Sequence, residues 1–178
     1  MLPVALPCAH LCSARMYVAM NSDINEIQVA CFRLGDDIYA ADIMRIKGII
    51  RPLKMTTLPK APAFVEGVIN LRGDVIPVVD LRSRFDFPRR ANDQSTRLLI
   101  VKVSCQLIGL VVDEVTEVIT VPVKDIKPAP QLAAGIGAEY LVGVCLVKES
   151  MVMLLNLDRI ISAREADELG LLEMAKKG

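Results

Sequence analysis

The sequence predicts an all-β fold made of two similar halves. Short runs rich in β-branched residues alternate with turns at regular intervals, which is typical of a sandwich or barrel and not of βαβ units. These runs also occur twice. Residues 64–85 align without a gap on residues 140–161 at an offset of 76, and a second alignment at an offset of 69 places Ile46 on Val115. We therefore interpret the chain as a tandem repeat.

Composition favours a folded protein that works without nucleic acid or membrane insertion. The chain has 178 residues and is 53% hydrophobic, so it can bury one core or hold two small domains that share one. Lys plus Arg and Asp plus Glu both number 21, and no basic block occurs that would bind a phosphate backbone. The longest apolar runs are about six residues, far short of the ~20 that span a bilayer.

The cysteines favour a reducing compartment. Five cysteines occur without a CxxC pair, so a cytoplasmic setting fits better than a disulfide framework. Cys31, Cys105 and Cys145 lie among apolar neighbours, and we predict that all three are small core residues.

The first half covers about residues 26–88. Strands over 27–34 and 38–41 form a hairpin across a Gly-Asp-Asp turn. Residues 43–50 predict a short helical turn followed by a strand, because a glycine and two adjacent isoleucines oppose a longer helix. After a proline-containing linker and a second hairpin, residues 80–87 close the half with a turn of helix.

The second hairpin of this half lies within residues 68–79 and contains the most informative turn of the chain. Gly73 and Asp74 suit a two-residue loop in which glycine supplies a positive φ, and Arg72 lies at the turn. Pro77 has no N–H to donate to a ladder, so we expect its strand to lie at an edge or to be bulged there. An edge strand has unpaired backbone groups that can bind a strand of a partner.

The second half covers about residues 96–162 and repeats this order. Its two hairpins have the same pattern as those of the first half, and strands are expected over 97–103, 107–112 and 115–121. The difference between the two offsets puts seven extra residues in the connection around 122–137. Proline and glycine cluster there, as expected for a loop.

Both ends of the chain are predicted to lie outside the paired strands. Residues 1–25 form a disordered extension in this interpretation, because prolines interrupt an apolar stretch that lacks the preceding positive charge of a signal peptide. Residues 163–178 form a C-terminal helix. Ser162 can cap this helix, since Glu165 three residues later completes a capping box.

Catalysis has little support in the sequence. His10, the single histidine, lies in the N-terminal extension, which removes the usual general base from the folded part. Carboxylates beside turns could replace it, and they occur as two groups: Asp36, Asp37 and Asp42, and Asp113, Glu114 and Glu117. We interpret both groups as solvated strand ends. A ligand-binding or enzymatic barrel that uses them is the alternative.

Three segments of the chain resemble the CheW family, the coupling proteins of bacterial chemotaxis arrays. The segments are FRLGDDIYAADI, LPKAPAFVEGVINLRGDVIPVVDLRSRF and EYLVGVCLVKESMVMLLNLDRII, and they extend over residues 28–162. The NLRG turn, residues 70–73, followed by PVVDL, residues 77–81, is the most discriminating part. The resemblance implies a CheW-like domain over residues 26–163. Its fold would be two intertwined five-stranded SH3-like barrels with short helical turns and a C-terminal helix.

The resemblance also implies a function without catalysis, cofactor or metal. Proteins of this family bridge the cytoplasmic hairpin tips of chemoreceptors to the similar regulatory domain of the histidine kinase CheA, in arrays on the inner face of the membrane. Such adaptors also serve pilus-motility and second-messenger arrays, and the sequence leaves the pathway open. Carried over residue by residue, the receptor-facing groove contains Ile46, Asn70, Leu71, Arg72 and Gly73, with Val115 matching Ile46 across the repeat.

The chain departs from this family at Gly48. Many members have a glutamate here, in a position able to pair with the arginine of the NLRG turn. Because glycine has no side chain, that salt bridge cannot form, and we expect either Glu66 or a carboxylate of the receptor to replace it.

Overall fold

A computed structural model of the chain describes residues 25–129, 138–162, 164–165 and 167–168. The first half contributes five strands: β1 (Glu26–Leu34), β2 (Asp37–Asp42), β3 (Ile46–Ile50), β4 (Val65–Leu71) and β5 (Asp74–Asp80). The second half contributes five more: β6 (Arg97–Val103), β7 (Gln106–Val112), β8 (Glu114–Pro122), β9 (Leu141–Val147) and β10 (Ser150–Leu155). The helical elements are α1 (Leu81–Arg84), α2 (Leu157–Ile160) and 3-10 turns at Ile43–Arg45, Val123–Asp125 and Ala138–Tyr140.

The two halves are intertwined, because each sheet takes strands from both. One five-stranded sheet has the order β8-β1-β2-β10-β9 and the other β3-β6-β7-β5-β4. In each sheet a parallel pair joins the halves, with Ala40 opposite Leu154 in one and Val79 opposite Leu110 in the other. The other strand pairs within the sheets are antiparallel. The predicted all-β fold of two intertwined five-stranded SH3-like barrels is confirmed, with one five-stranded sheet for each barrel.

In each sheet, one edge strand is covered by a segment that precedes it in the sequence. Thr56 and Val68 exchange two backbone hydrogen bonds of 2.9 Å, and Lys127 and Val144 exchange two of 2.8 Å. The neighbouring glycine makes this approach possible. A Cβ at Gly67 would lie 2.4 Å from the Thr56 carbonyl oxygen, and a Cβ at its counterpart Gly143 would lie 2.5 Å from that of Lys127. Both positions therefore require glycine.

A central core holds the sheets together, and each sheet also encloses a smaller cluster. Phe85 lies at the centre, with ring centroids 5.6 Å from Tyr39 and 5.3 Å from Tyr140. Strands of both halves supply this core, including buried Phe32 and Val101. The smaller clusters lie on either side, one around Cys31 and Cys145 and the other around Ile69, Ile76 and Leu98.

The helical turns after the second and fourth hairpins begin alike. Asp80 accepts a hydrogen bond of 3.0 Å from the Arg82 N–H, and Asn156 accepts one of 3.1 Å from the Asp158 N–H. These side-chain caps stop each last strand and turn the chain into one turn of helix. The predicted turn within 80–87 is therefore present, and α2 is its repeat.

The predicted capping box at the C-terminal end is also present. The Glu165 N–H donates to Ser162 Oγ over 3.2 Å, and the Ser162 N–H donates to Glu165 Oε2 over 2.8 Å. Arg84 holds the same carboxylate with two hydrogen bonds of 3.0 Å, while its guanidinium carbon lies 4.2 Å from the Phe64 ring centroid. Most of the C-terminal helix predicted over 163–178, and residues 1–24, lie outside the described residues.

Three expectations from the sequence are wrong. Of the two alternatives for the strand of Pro77, the edge is wrong, because β5 lies between β4 and β7 and its pairing with β7 begins at Val78. The bulge has support nearby, since the β4–β5 register shifts between Val65 and Gly67, next to the partner of Pro77, Val68. The two loop residues of the β4–β5 hairpin are Arg72 and Gly73, since Asp74 already pairs with Leu71. Cys105 is exposed in the turn between β6 and β7 and is not a core residue.

Candidate functional site

The β4–β5 turn is a tight hairpin that projects an arginine. Arg72 has φ of 55° and Gly73 has φ of 92°, so both loop residues have positive φ, as a type I′ turn requires. The Gly73 N–H donates to Asn70 Oδ1 over 3.0 Å. Asn70 therefore stabilises the turn. Each polar or glycine residue of the Asn-Leu-Arg-Gly segment has a place in it: Asn70 accepts the hydrogen bond, and Arg72 and Gly73 form the two-residue loop.

The Arg72 side chain is open to a partner. It is exposed, and it makes no hydrogen bond or ion pair with any residue in the described part of the chain. A non-glycine residue with positive φ costs roughly 1 kcal/mol, which the paired strands on both sides must offset. The hairpin thus fixes the position of the Arg72 backbone, and no residue in the described ranges pairs with its guanidinium.

The apolar members of the predicted site lie on two different clusters. Leu71 is half-buried against the cluster enclosed by the second sheet. Ile46 and Val115 are half-buried against the central core, opposite Val101 and Phe32 in their strand pairs. The structure therefore brings Asn70 to Gly73 together at one turn, and it places Ile46 and Val115 in equivalent positions on the shared core.

The structure has space for a side chain at position 48, where the chain has glycine. It lies in β3, and a Cβ built there would meet no atom within 4 Å. Glu66 does not replace the missing carboxylate: within the described residues no ion pair joins it to Arg72. The charged groups that affect Glu66 are Asp80 and Arg89, not Arg72. Burial raises the pKa of Glu66, Asp80 raises it further and Arg89 lowers it.

The second half contains an ion pair that sequence analysis missed. Lys148 occupies the first loop position of the β9–β10 hairpin with φ of 48°, and its Nζ lies 3.4 Å from Glu117 Oε2 on β8. The repeat carries the signal for this pair. Lys148 is the counterpart of Arg72 at the offset of 76, and Glu117 is the counterpart of Gly48 at the offset of 69.

Some of the carboxylates considered for an enzyme serve the fold, whereas Asp36, Asp37 and Glu114 are exposed. Asp42 accepts from the Met44 N–H over 2.8 Å and so caps a 3-10 turn. Burial raises the pKa of Asp113, but hydrogen bonds from the Arg82 side chain and the Gly35 N–H outweigh this and hold that pKa below its ordinary value. Across the described ranges, no group of three or more His, Cys, Asp or Glu side chains is placed to hold a metal ion.

Large apolar side chains are exposed in both halves of the chain, and sequence analysis missed these too. In the second half, Leu146 and Met151 lie opposite each other in the β9–β10 hairpin and are 72% and 57% exposed. In the first half, Ile49 is exposed on β3, and its counterpart Val118 is exposed on β8. Leu146 and Met151 are neighbours across the hairpin and form an exposed apolar pair on β9 and β10.

Comparison with known proteins decides the family. A family model described as a CheW-like domain matches residues 28–165. The chain belongs to the CheW-like domain family. The resemblance seen in the NLRG and PVVDL segments is thereby confirmed, and the CheW-like domain covers both sheets, the turn of Arg72 and the capping box at Ser162.

The chain aligns with known relatives over most of their length. The chain is 33% identical over 159 residues to chemotaxis protein CheW of Treponema pallidum, which covers 87% of this chain and 92% of that protein. It is 31% identical over 138 residues to protein FrzA of Myxococcus xanthus, covering 76% and 86%. The crystal structure of scaffolding protein TtCheW from Thermoanaerobacter tengcongensis superposes with a TM-score of 0.72 at 31% identity, covering 78% of this chain and 90% of that chain.

No helix among the described residues is long and apolar enough to cross a membrane.

Proposed function

We propose that this protein is a noncatalytic adaptor that couples the cytoplasmic hairpin tips of chemoreceptors to the regulatory domain of the histidine kinase CheA. It acts in the cytoplasm, at receptor arrays on the inner face of the membrane. The observation that carries the proposal is the match of residues 28–165 to the CheW-like domain. Three of the six carboxylates that could have served an enzyme, Asp42, Asp113 and Glu117, are bound within the fold, so these three do not favour the alternative.

In this proposal the receptor tip contacts the first-half turn, and the receptor-facing groove is the one that the family resemblance implies. Half-buried apolar residues offer contact area to a helix, and a cation at the rim orients it. Half-buried apolar residues and the exposed arginine meet these requirements in this chain. The proposed receptor contacts are Ile46, Asn70, Leu71, Arg72, Gly73 and Val115.

The kinase domain binds elsewhere, at the end of a barrel. Because the regulatory domain of CheA is similar to this fold, it can pack barrel against barrel through exposed apolar side chains. Leu146 and Met151 supply such a surface on β9 and β10. Two separate surfaces on one rigid protein let it hold both partners at once, which an adaptor requires.

Two titrations of the full chain test the proposal, one with a receptor tip fragment and one with the kinase regulatory domain. The unaltered protein should bind both. Replacing Leu146 and Met151 together by serine should weaken kinase binding at least about tenfold, since the contact loses buried apolar area, and leave receptor binding within about twofold. If the unaltered protein binds neither partner, the proposed function is wrong. Equal losses on both titrations would contradict separate surfaces.

A further inference from the structure

The β4–β5 and β9–β10 hairpin turns have positive φ at both loop positions, but they differ in whether their cation is paired within the described residues. Arg72 and Gly73 have φ of 55° and 92°, and their counterparts Lys148 and Glu149 have φ of 48° and 68°. Both turns place a cation at the first loop position. The two turns differ in the residue at the neighbouring strand position, which is Glu117 beside Lys148 and Gly48 in the first half. Each turn can therefore be compared with the other.

In the second half the cation is neutralised within the chain. Lys148 Nζ lies 3.4 Å from Glu117 Oε2, and the two side chains are 77% and 49% exposed. β8 reaches this place through a bulge: its pairing with β1 shifts between Val115, opposite Phe32, and Val118, opposite Ala30. The bulge sets the position of Glu117 on the strand.

In the first half the same bulge is present, but the carboxylate is absent. The pairing of β3 with β6 shifts between Ile46 and Gly48, which are the counterparts of Val115 and Glu117. Gly48 has no positive φ, and a side chain there would enter open space, so the backbone accommodates a glutamate. Neither conformation nor space explains the glycine. Its effect is to leave Arg72 without the partner that Lys148 has.

We propose that Arg72 is a specificity-determining residue that takes a carboxylate from the receptor tip, and that Gly48 keeps it available for this contact. The inference rests on the proposed function and adds the chemistry of the partner: an Asp or Glu side chain on the tip. An unpaired guanidinium can bind a carboxylate through two parallel hydrogen bonds. An arginine already paired within the chain would have to give up that pair first, and would favour a tip without the acidic residue.

Substitutions at Gly48 test this directly, with binding of the receptor tip as the measurement. Gly48→Glu supplies the internal carboxylate and should weaken binding about three- to fivefold, because an exposed ion pair of this kind contributes at most about 1 kcal/mol. Gly48→Gln has nearly the same size without the charge and should stay within about twofold of the unaltered protein. In the background of Arg72→Ala, Gly48→Glu should have no further effect, because no cation is left to neutralise. Equal losses for Gly48→Glu and Gly48→Gln would overturn the inference, since size alone would then explain them.

The receptor side gives an independent test that needs no change at Gly48. Each Asp or Glu of the tip is replaced in turn by Asn or Gln, and the loss is measured with the unaltered protein and with Arg72→Ala. One carboxylate should show a loss of about tenfold that disappears when Arg72 is alanine. If every carboxylate behaves additively with Arg72→Ala, the inference fails while the proposed function stands. If the unaltered protein does not bind the tip, the proposed function itself fails.

Discussion

Arg82 of the first half binds Asp113 of the second half, with Arg82 Nε donating to Asp113 Oδ1 over 2.7 Å and the terminal nitrogen donating to Oδ2. Asp113 also accepts from the Gly35 N–H over 2.7 Å. One carboxylate therefore joins α1, the β1–β2 turn and the start of β8. A second pair joins the halves in the same sense, because Arg45 of the first half binds Asp158 of the second.

Asp113→Asn should destabilise the fold in a pH-dependent way. The side chains of Arg82 and Asp113 are only 12% and 15% exposed, so loss of the charge should cost about 1 to 3 kcal/mol at neutral pH. The folded pKa of Asp113 is lowered, so its contribution is complete above the unfolded pKa of about 3.9 and is lost as pH falls through the folded pKa. Urea denaturation at several pH values should show the two proteins converging in acid.

Asp36→Asn is the control for that series, because Asp36 is an exposed carboxylate in the adjacent β1–β2 turn. Its stability should differ from the unaltered protein by less than about 0.5 kcal/mol at neutral pH. A constant difference for Asp113→Asn down to pH 2 would show that the lost hydrogen-bond geometry, and not the lost charge, causes the destabilisation.

Gly67→Val and Gly143→Val should each destabilise the protein by about 3 kcal/mol. At both sites the added carbon would lie within 2.5 Å of a carbonyl oxygen whose residue covers the sheet edge. The backbone would have to separate and break two hydrogen bonds. Thermal melts provide the measurement, and Gly48→Ala, which enters open space, should melt near the unaltered protein. A small shift at Gly67 would mean that the covering segment is not held by its bridge.

Neither half should fold when expressed alone. Residues 26–88 carry β1 to β5, but these strands belong to two sheets whose other members come from residues 96–162. Each isolated half would expose its side of the central core, and about 65 residues are too few to offset that loss. Circular dichroism of each half should show no cooperative melt, whereas the mixed halves should recover one. Cooperative unfolding of one half alone would contradict the intertwined architecture.

Local features of the sequence predicted most of the fold, because strand alternation and the repeat are visible along the chain. The β1–β2 hairpin, the short turn before β3 and the capping box at Ser162 depend on neighbours within a few residues. Strand order does not. An edge position was one of two alternatives for β5 because of Pro77, but its parallel pairing with β7 depends on residues about thirty positions away. Tertiary pairing of this kind cannot be seen in local pattern.

The candidate site was predictable in part for the same reason. The turn of Arg72 follows from a glycine and two flanking strands, whereas the partner of a charged side chain depends on register across the sheet. Cys105 was placed in the core because apolar runs flank it, yet Ser104 beside it has φ of 54° and starts a tight turn. The Lys148–Glu117 pair was missed, although the two repeat offsets already matched it to Arg72 and Gly48.

Arg72→Ala should separate function from stability. The side chain is exposed and makes no hydrogen bond or ion pair in the described part of the chain, so its loss should change the free energy of unfolding by less than about 1 kcal/mol. As a rim contact to the receptor tip it should contribute more, and its loss should weaken that binding by about 1 to 3 kcal/mol. Arg72→Glu should weaken it further, because it would repel an acidic tip.

Lys148→Ala is the matched control, since it removes a cation from the equivalent turn of the other half. It should leave receptor binding unchanged, because Lys148 lies outside the proposed groove and already has Glu117 as a partner. Binding of Arg72→Ala to the kinase regulatory domain should also be unchanged. A thermal melt of each variant, measured beside its titrations, shows whether a loss of binding comes from a loss of stability. If Arg72→Ala lowers the melting temperature strongly and weakens both partners equally, then Arg72 supports the fold, and the receptor surface lies elsewhere.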